Sequence, residues 1–365
     1  MKLYIERHDG EAATIENFLQ AFEDASGRDL SQFALWYHQA GTPNLAVTTA
    51  YDPEIGEFRI EIEQSVPPTP SESRKRLMHI PLAFGLVGED GKDIEPSAVE
   101  GAAVENGVIH VRKRRHVLRF EGVPQRPALS LNRGFSAPVT LSFEQRPDDL
   151  LFLARKDSDL VARWLALNTL FTGALIQGFR AVRGQKKPQF GEGLIRAAGE
   201  IAADETLEPA WRALALTLPG EADIAREIGS NIDPDAIFAA REALSEAIAA
   251  ENRGTFATLH EGLEDAGPFS PDATSAGRRA LRNVLNGPAS SSPSWSAAKV
   301  PRFSVAIASD SASRAAKMAS GSMFEPISRA MSASPGSVSA SARHAGSSVS
   351  SAAISPAARI SPSPN

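Results

Sequence analysis

Seven histidines and no cysteine bound the chemistry this sequence can carry. The nearest approach to a metal motif is His260-Glu261-Gly262-Leu263-Glu264. In the H-E-x-x-H pattern, two histidines one helical turn apart bind zinc and the glutamate between them activates water. Here Glu264 stands where the second histidine belongs, and Gly262 weakens the helix that would hold the set. Zinc accepts carboxylates as well as imidazoles, so a His260/Glu264 site is chemically conceivable. A solvated helix face accounts for the same residues with fewer demands.

The other histidines are His8, His38, His79, His110, His116 and His344; none has a histidine three or four residues away to form a local metal pair. His8 belongs to a helix end, where packing or capping is its expected role. His110 and His116 flank Arg112-Lys113-Arg114-Arg115, a run that could grip an acidic partner or nucleic acid but reads better as a solvated hairpin turn. There is no Gly-x-Ser-x-Gly elbow, and Gly191-Glu192-Gly193 lacks the following glycine of a dinucleotide loop. The carboxylate pairs Glu23/Asp24, Asp148/Asp149 and Glu264/Asp265 are sequence neighbours, whereas acid–base work needs convergence in space. We therefore assign no catalytic, cofactor-binding or metal residue in this chain.

The elements that would position any site fall into three blocks. In the first, a helix ends near Arg7-His8-Asp9-Gly10, with Gly10 past its C-terminus. Thr14 caps a helix over Ile15–Ala25 with Ile15, Phe18, Leu19 and Phe22 on one face. Asp29 or Ser31 caps a third segment containing Leu30, Phe33, Leu35, Trp36 and Tyr37, which stops at Gly41. This block reads as the close of a domain, and its large apolar faces at Phe18, Phe22, Phe33 and Trp36 predict an exposed patch that favours a partner or aggregation.

From residue 42 the period falls to two. Ala46–Tyr51 and Phe58–Gln64 alternate around an Asp52–Glu57 turn, and His79–Val87, Val108–Val111, Val117–Phe120 and Val139–Phe143 come next as short strands. Several short strands with regular turns predict a β-sandwich, Ig-like in architecture and without a disulfide. From Asp148 the period is helical: Leu150, Leu151 and Leu153, then Val161, Trp164, Leu165, Leu167, Leu170 and Phe171. Pro188, Pro209 and Pro219 mark joints, and Asp233 and Pro234 open a further helix. From Pro288 serine and alanine dominate, with Asp310 and Glu325 against seven bases. Such a segment cannot bury enough apolar area to order itself, so a disordered tail is expected.

The first block resembles the last helices of the catalytic domain of the bacterial alanyl aminopeptidases, the aminopeptidase N branch of the M1 metallopeptidases. The matching words are Leu3-Tyr4, Glu6-Arg7-His8-Asp9-Gly10, Phe22-Glu23-Asp24-Ala25-Ser26, Asp29-Leu30-Ser31, Trp36-Tyr37 and Gln39-Ala40-Gly41-Thr42-Pro43. Asn132-Arg133-Gly134-Phe135-Ser136-Ala137-Pro138-Val139 resembles the close of the family's β-domain. Leu216-Thr217-Leu218-Pro219 with Asp233-Pro234 and Arg241-Glu242-Ala243-Leu244 resembles the start of its helical domain. The likeness is clear at Arg278–Leu285 and then stops, which suggests a reading-frame shift after Leu285.

The resemblance implies a parent enzyme that uses zinc to remove N-terminal residues from peptides. The family's H-E-x-x-H precedes the β-domain, whereas His260 comes after it. Ala249-Ala250-Glu251-Asn252 is similar to the Gly-x-Met-Glu-Asn strand that holds the substrate amine, but it lacks the glycine and methionine and lies in a helical context. The expectation is a multidomain α+β chain: closing helices of a catalytic domain (1–41), an Ig-like β-sandwich (42–146), the start of an α-helical domain (147–287) and a disordered, Ser/Ala/Pro-rich tail (288–365). It would be a truncated fragment, inactive alone and without zinc of its own, working on peptides only within the full enzyme. Docking onto a separate catalytic half is one role, and a non-catalytic protein-binding module is the alternative. A net charge of −6 gives no reason for nucleic acid, no run of about 18 apolar residues suggests a membrane span, and the lack of cysteine suits the cytoplasm.

Overall fold

The computed structural model describes residues 1–70, 72–263 and 270–285. Helix α1 (Lys2–His8) and α2 (Ile15–Ser26) form a small hairpin. Thr14 caps α2 reciprocally with Asn17, and Gly27, left-handed at φ 65°, closes it. The third segment is shorter than its apolar content predicts: only Leu35–His38 (α3) is α-helical, preceded by turns. Asp29 and Gln32 draw the chain elsewhere. The Asp29 carboxylate accepts from Ser31 N, and Gln32 Nε2 donates to the carbonyls of Leu77 and Arg112.

The expected exposed patch is also smaller than its sequence implies. Phe18, Phe22, Phe33 and Trp36 are each half-buried. Phe18 stacks between Tyr4 and Phe22, and Trp36 packs against the sandwich core with its Nε1 donating to the His79 carbonyl. Met1 and Ile5, 59% and 52% exposed, are the apolar side chains the hairpin leaves in solvent.

Among the described residues nine strands make the sandwich: β1 (Asn44–Asp52), β2 (Glu57–Ser65), β3 (Ile80–Val87), β4 (Ala98–Glu100), β5 (Val104–Glu105), β6 (Val108–Val111), β7 (Arg115–Glu121), β8 (Ala128–Leu131) and β9 (Thr140–Phe143). One sheet runs β4-β7-β2-β1-β9 and the other β5-β6-β3-β8. All pairings are antiparallel except β1 with β9, which run parallel from Asn44↔Thr140 to Val47↔Phe143. Alternation puts Leu45, Val47, Phe58, Ile60, Ile62, Leu118 and Phe120 inward, against Ile80, Leu82, Ile109, Val111, Leu129 and Leu131. Gln64 is fully buried in this series, and its amide is satisfied by both backbone groups of Met78.

The helical part comprises α4 (Pro147–Lys156), α5 (Leu160–Arg183), α6 (Glu192–Ala203), α7 (Pro209–Leu216), α8 (Glu221–Ile228), α9 (Pro234–Glu251), α10 (Arg253–Gly262) and α11 (Ala273–Leu285). Asp159 and Asp233 cap α5 and α9, and Pro209 and Pro234 sit at first helical positions. By length and composition α5 could cross a membrane, although the sequence shows no unbroken apolar run. Its Leu167, Phe171, Leu175 and Phe179 are instead in the core of the helical domain, beside Trp211, Ile237, Leu244 and Leu281. Val87 and Ala128 at the sandwich's end join the same cluster.

Candidate functional site

His260 and Glu261 lie in the last turn of α10. His260 is half-buried, with its Nε2 3.4 Å from the Arg282 Nε–H of α11, and Glu261 is exposed. Glu264 lies outside the described residues, as do Asp265, His344 and the whole of 288–365. Among the described residues no three His, Asp or Glu side chains converge as a metal set. Glu251 sits exposed at the end of α9, and Asn252 holds the α9–α10 junction by donating to the Ile195 and Ile248 carbonyls.

Of the basic run, residues 112–114 form the turn between β6 and β7 and Arg115 opens β7. The turn is organised from inside: the His116 Nε2 accepts from both Arg112 N and Lys113 N, 3.0 Å each. Burial lowers the His116 pKa, which suits the neutral acceptor this turn requires. A shallow concavity of about 540 Å³ lies on the outer face of the five-stranded sheet, with Glu61, Glu63 and Glu144 along it. Glu61 is held there by Arg115 and Arg59, and nothing in the lining pairs a nucleophile with a base.

Two groupings escape a search by sequence spacing. The first is a histidine pair. His110 lies on β6 and His79 directly precedes the neighbouring β3, with His79 Nε2 2.8 Å from His110 Nδ1. The pairing of Pro81 with His110 puts His79 two residues along the same face. Only the β3–β6 register brings them together. Burial and the neighbouring Arg112 charge push the His79 pKa down to about 4, and burial lowers that of His110 against the opposing charge of Glu105.

The second is the junction of sandwich and helical domain. Arg133 is bidentate to Asp93 at 2.6 and 2.8 Å, pairs with Asp157 at 2.9 Å and donates to Ser130 Oγ. Gly134 N donates to the α5 cap Asp159, and Arg126 clasps Asp149 of α4. Burial alone would lower the Arg133 pKa, but hydrogen bonding to Asp93 and the charges of Asp157, Asp93 and Asp159 hold it above its ordinary value. The guanidinium occupies the space above Gly85, where any Cβ would stand 2.1 Å from its carbon. This arrangement fixes one domain on another; it presents no reacting group.

An Ig-like domain joined directly to a helical array therefore defines the class, and comparison with known proteins agrees. Residues 41–144 match the domain of unknown function DUF3458, described as an Ig-like fold, and residues 147–319 match DUF3458_C, described as ARM repeats. Aminopeptidase N of Caulobacter vibrioides is 40% identical over 282 residues, which are 77% of this chain and 31% of that protein. Aminopeptidase N of Escherichia coli is 38% identical over 254 residues, 69% of this chain and 28% of that one. A crystal structure of Legionella pneumophila aminopeptidase A in complex with aspartic acid superposes with a TM-score of 0.64 at 26% identity, covering 77% of this chain and 31% of that chain. The chain belongs to the family of the bacterial aminopeptidases N. It spans about a third of the length of these relatives.

Proposed function

We propose that this chain is the non-catalytic part of a zinc-dependent aminopeptidase of the M1 family, an enzyme that removes N-terminal residues from peptides in the cytoplasm. The observation that carries the reading is coverage: most of the chain matches less than a third of aminopeptidase N. Among the described residues the donor set does not fit zinc. The one His-Glu pair in the sequence has its imidazole against a guanidinium and its carboxylate in solvent. These residues support no hydrolytic step, and the chain is inactive alone. Its sandwich and helices are a scaffold beside the catalytic domain, which they help to enclose.

The purified chain, assayed for zinc and for turnover of an alanyl substrate, is expected to give neither. Turnover that a chelator abolishes would overturn the proposal. A second reading, docking onto a separately made catalytic half, is favoured by the exposed Met1, Ile5 and Tyr37 of the N-terminal helices. Adding this chain to an aminopeptidase N catalytic domain lacking its own downstream part should then raise activity; no change would sink this second reading.

A further inference from the structure

Four elements meet around the His79–His110 contact. His79 is 7% exposed at the entrance to β3, and His110 stands half-buried on β6. The segment after α2 lies across them. The Phe33 ring meets His79 edge-on at 6.2 Å, Trp36 Nε1 donates to the His79 carbonyl at 2.9 Å, and Gln32 bridges to the backbone at Leu77 and Arg112. The charged groups acting on the pair are Arg28 from that segment, Arg112 from the β6–β7 turn and Glu105 from β5, with Asp29 acting on Arg112. Arg28 and Glu105 are bound to each other at 2.7 Å, so the net charge facing the imidazoles is not negative.

A hydrogen bond between two imidazole nitrogens needs one protonated and one bare nitrogen. A first proton places a charge under the docked segment beside two arginines, and a second makes both facing nitrogens donors, so that the contact itself turns repulsive. We propose that the His79–His110 pair is an acid-operated latch: segment 28–40, and with it α1 and α2, docks over the pair while the rings are neutral, and proton uptake by the covered rings releases that segment.

Linkage sets the sign. In the docked state burial and the charges of Arg112, His110 and Arg28 push the His79 pKa down to about 4; release of the segment removes part of the burial and the Arg28 charge, so the pKa rises towards the ordinary 6.5, while Arg112 and His110 remain beside the ring. A lowered docked value means that docking is fully supported above the ordinary value and loses support as pH falls from there towards 4. At about pH 5 the His79 ring shifts the release equilibrium by up to about 20-fold relative to neutral pH.

Hydrogen exchange of the full chain, read by mass spectrometry at about pH 7.5 and about pH 5 and corrected for intrinsic rates, tests this. Protection of residues 30–39 should drop, by up to about 30-fold, while that of β1 and β2 holds. His79→Gln should remove most of the drop, and His110→Gln, at a half-exposed position, should shrink it. Protection of 30–39 that does not change with pH, that falls together with β1 and β2, or that falls in full in both variants would overturn the latch. If His79→Gln fails to fold, the wild type and His110→Gln decide between the same outcomes.

Discussion

In the sandwich each strand finds its hydrogen-bond partner in another strand, and the interior between the sheets is apolar except for Gln64 and His116. In the helical domain arginines enter the interior. Arg163 donates its Nε–H to the Ala154 carbonyl near the end of α4, with its guanidinium 5.1 Å over the Trp211 ring. Arg212 donates to the Ala202 carbonyl at the end of α6. The cause is geometric. A sheet satisfies its own backbone, whereas every helix leaves four carbonyls without an intrahelical partner, and a domain of short helices buries many such ends. Arginine, with five donors on a long apolar stem, can cross the core and close them. The same architecture that makes the helical domain easy to extend therefore obliges it to place charge inside.

The contrast can be broken from either side. Phe120→Ala, at a fully buried sandwich position, should cost about 3–5 kcal/mol in urea unfolding, because a sheet core has no way to collapse onto so large a void. Arg163→Ala should cost about 1–3 kcal/mol, since it leaves the Ala154 carbonyl buried without a donor and removes the contact with Trp211. A result equal to that of an exposed arginine would show the buried guanidinium to be passive. Asp233→Ala should cost about 1 kcal/mol by removing the cap on α9, seen as faster amide exchange in its first turn. Arg226→Ala, which breaks only an exposed pair with Asp223, should change stability by less than about 0.5 kcal/mol and calibrates the rest.

Legibility in the sequence divides along the same line. Strands with one wet face, such as β2 with Phe58, Ile60 and Ile62 inward, declare themselves by alternation. β8 does not: all four of its residues are buried, because α4 packs on its outer side, so no period of two is present to read. β4 and β5, three and two residues long, are too short to carry a pattern. Local caps at Thr14 and Asp233 were legible because side chain and target lie three residues apart. The arginine plugs were not, since their partners are backbone carbonyls of any residue type. The His79–His110 pair is separated by 31 positions and needs the strand register to exist at all. The His260 pentapeptide, conspicuous in sequence, finds no converging partners among the described residues, and its Glu264 lies outside them.

The parallel pairing of β1 with β9 has a mechanical consequence. The chain enters the sandwich at Asn44 and leaves it at Phe143, and these two ends belong to adjacent strands running the same way. Tension applied through the flanking helices would pull the strands in opposite directions along their length. The β1–β9 bonds, with the Thr140 N to Pro43 carbonyl bond beside them, would then bear the load together, where an antiparallel hairpin pulled from its open end gives way one bond at a time. The sandwich is thereby a shear-loaded clasp between its N-terminal and C-terminal helices, and a force–extension trace would register it as one abrupt yield, not a gradual unzipping.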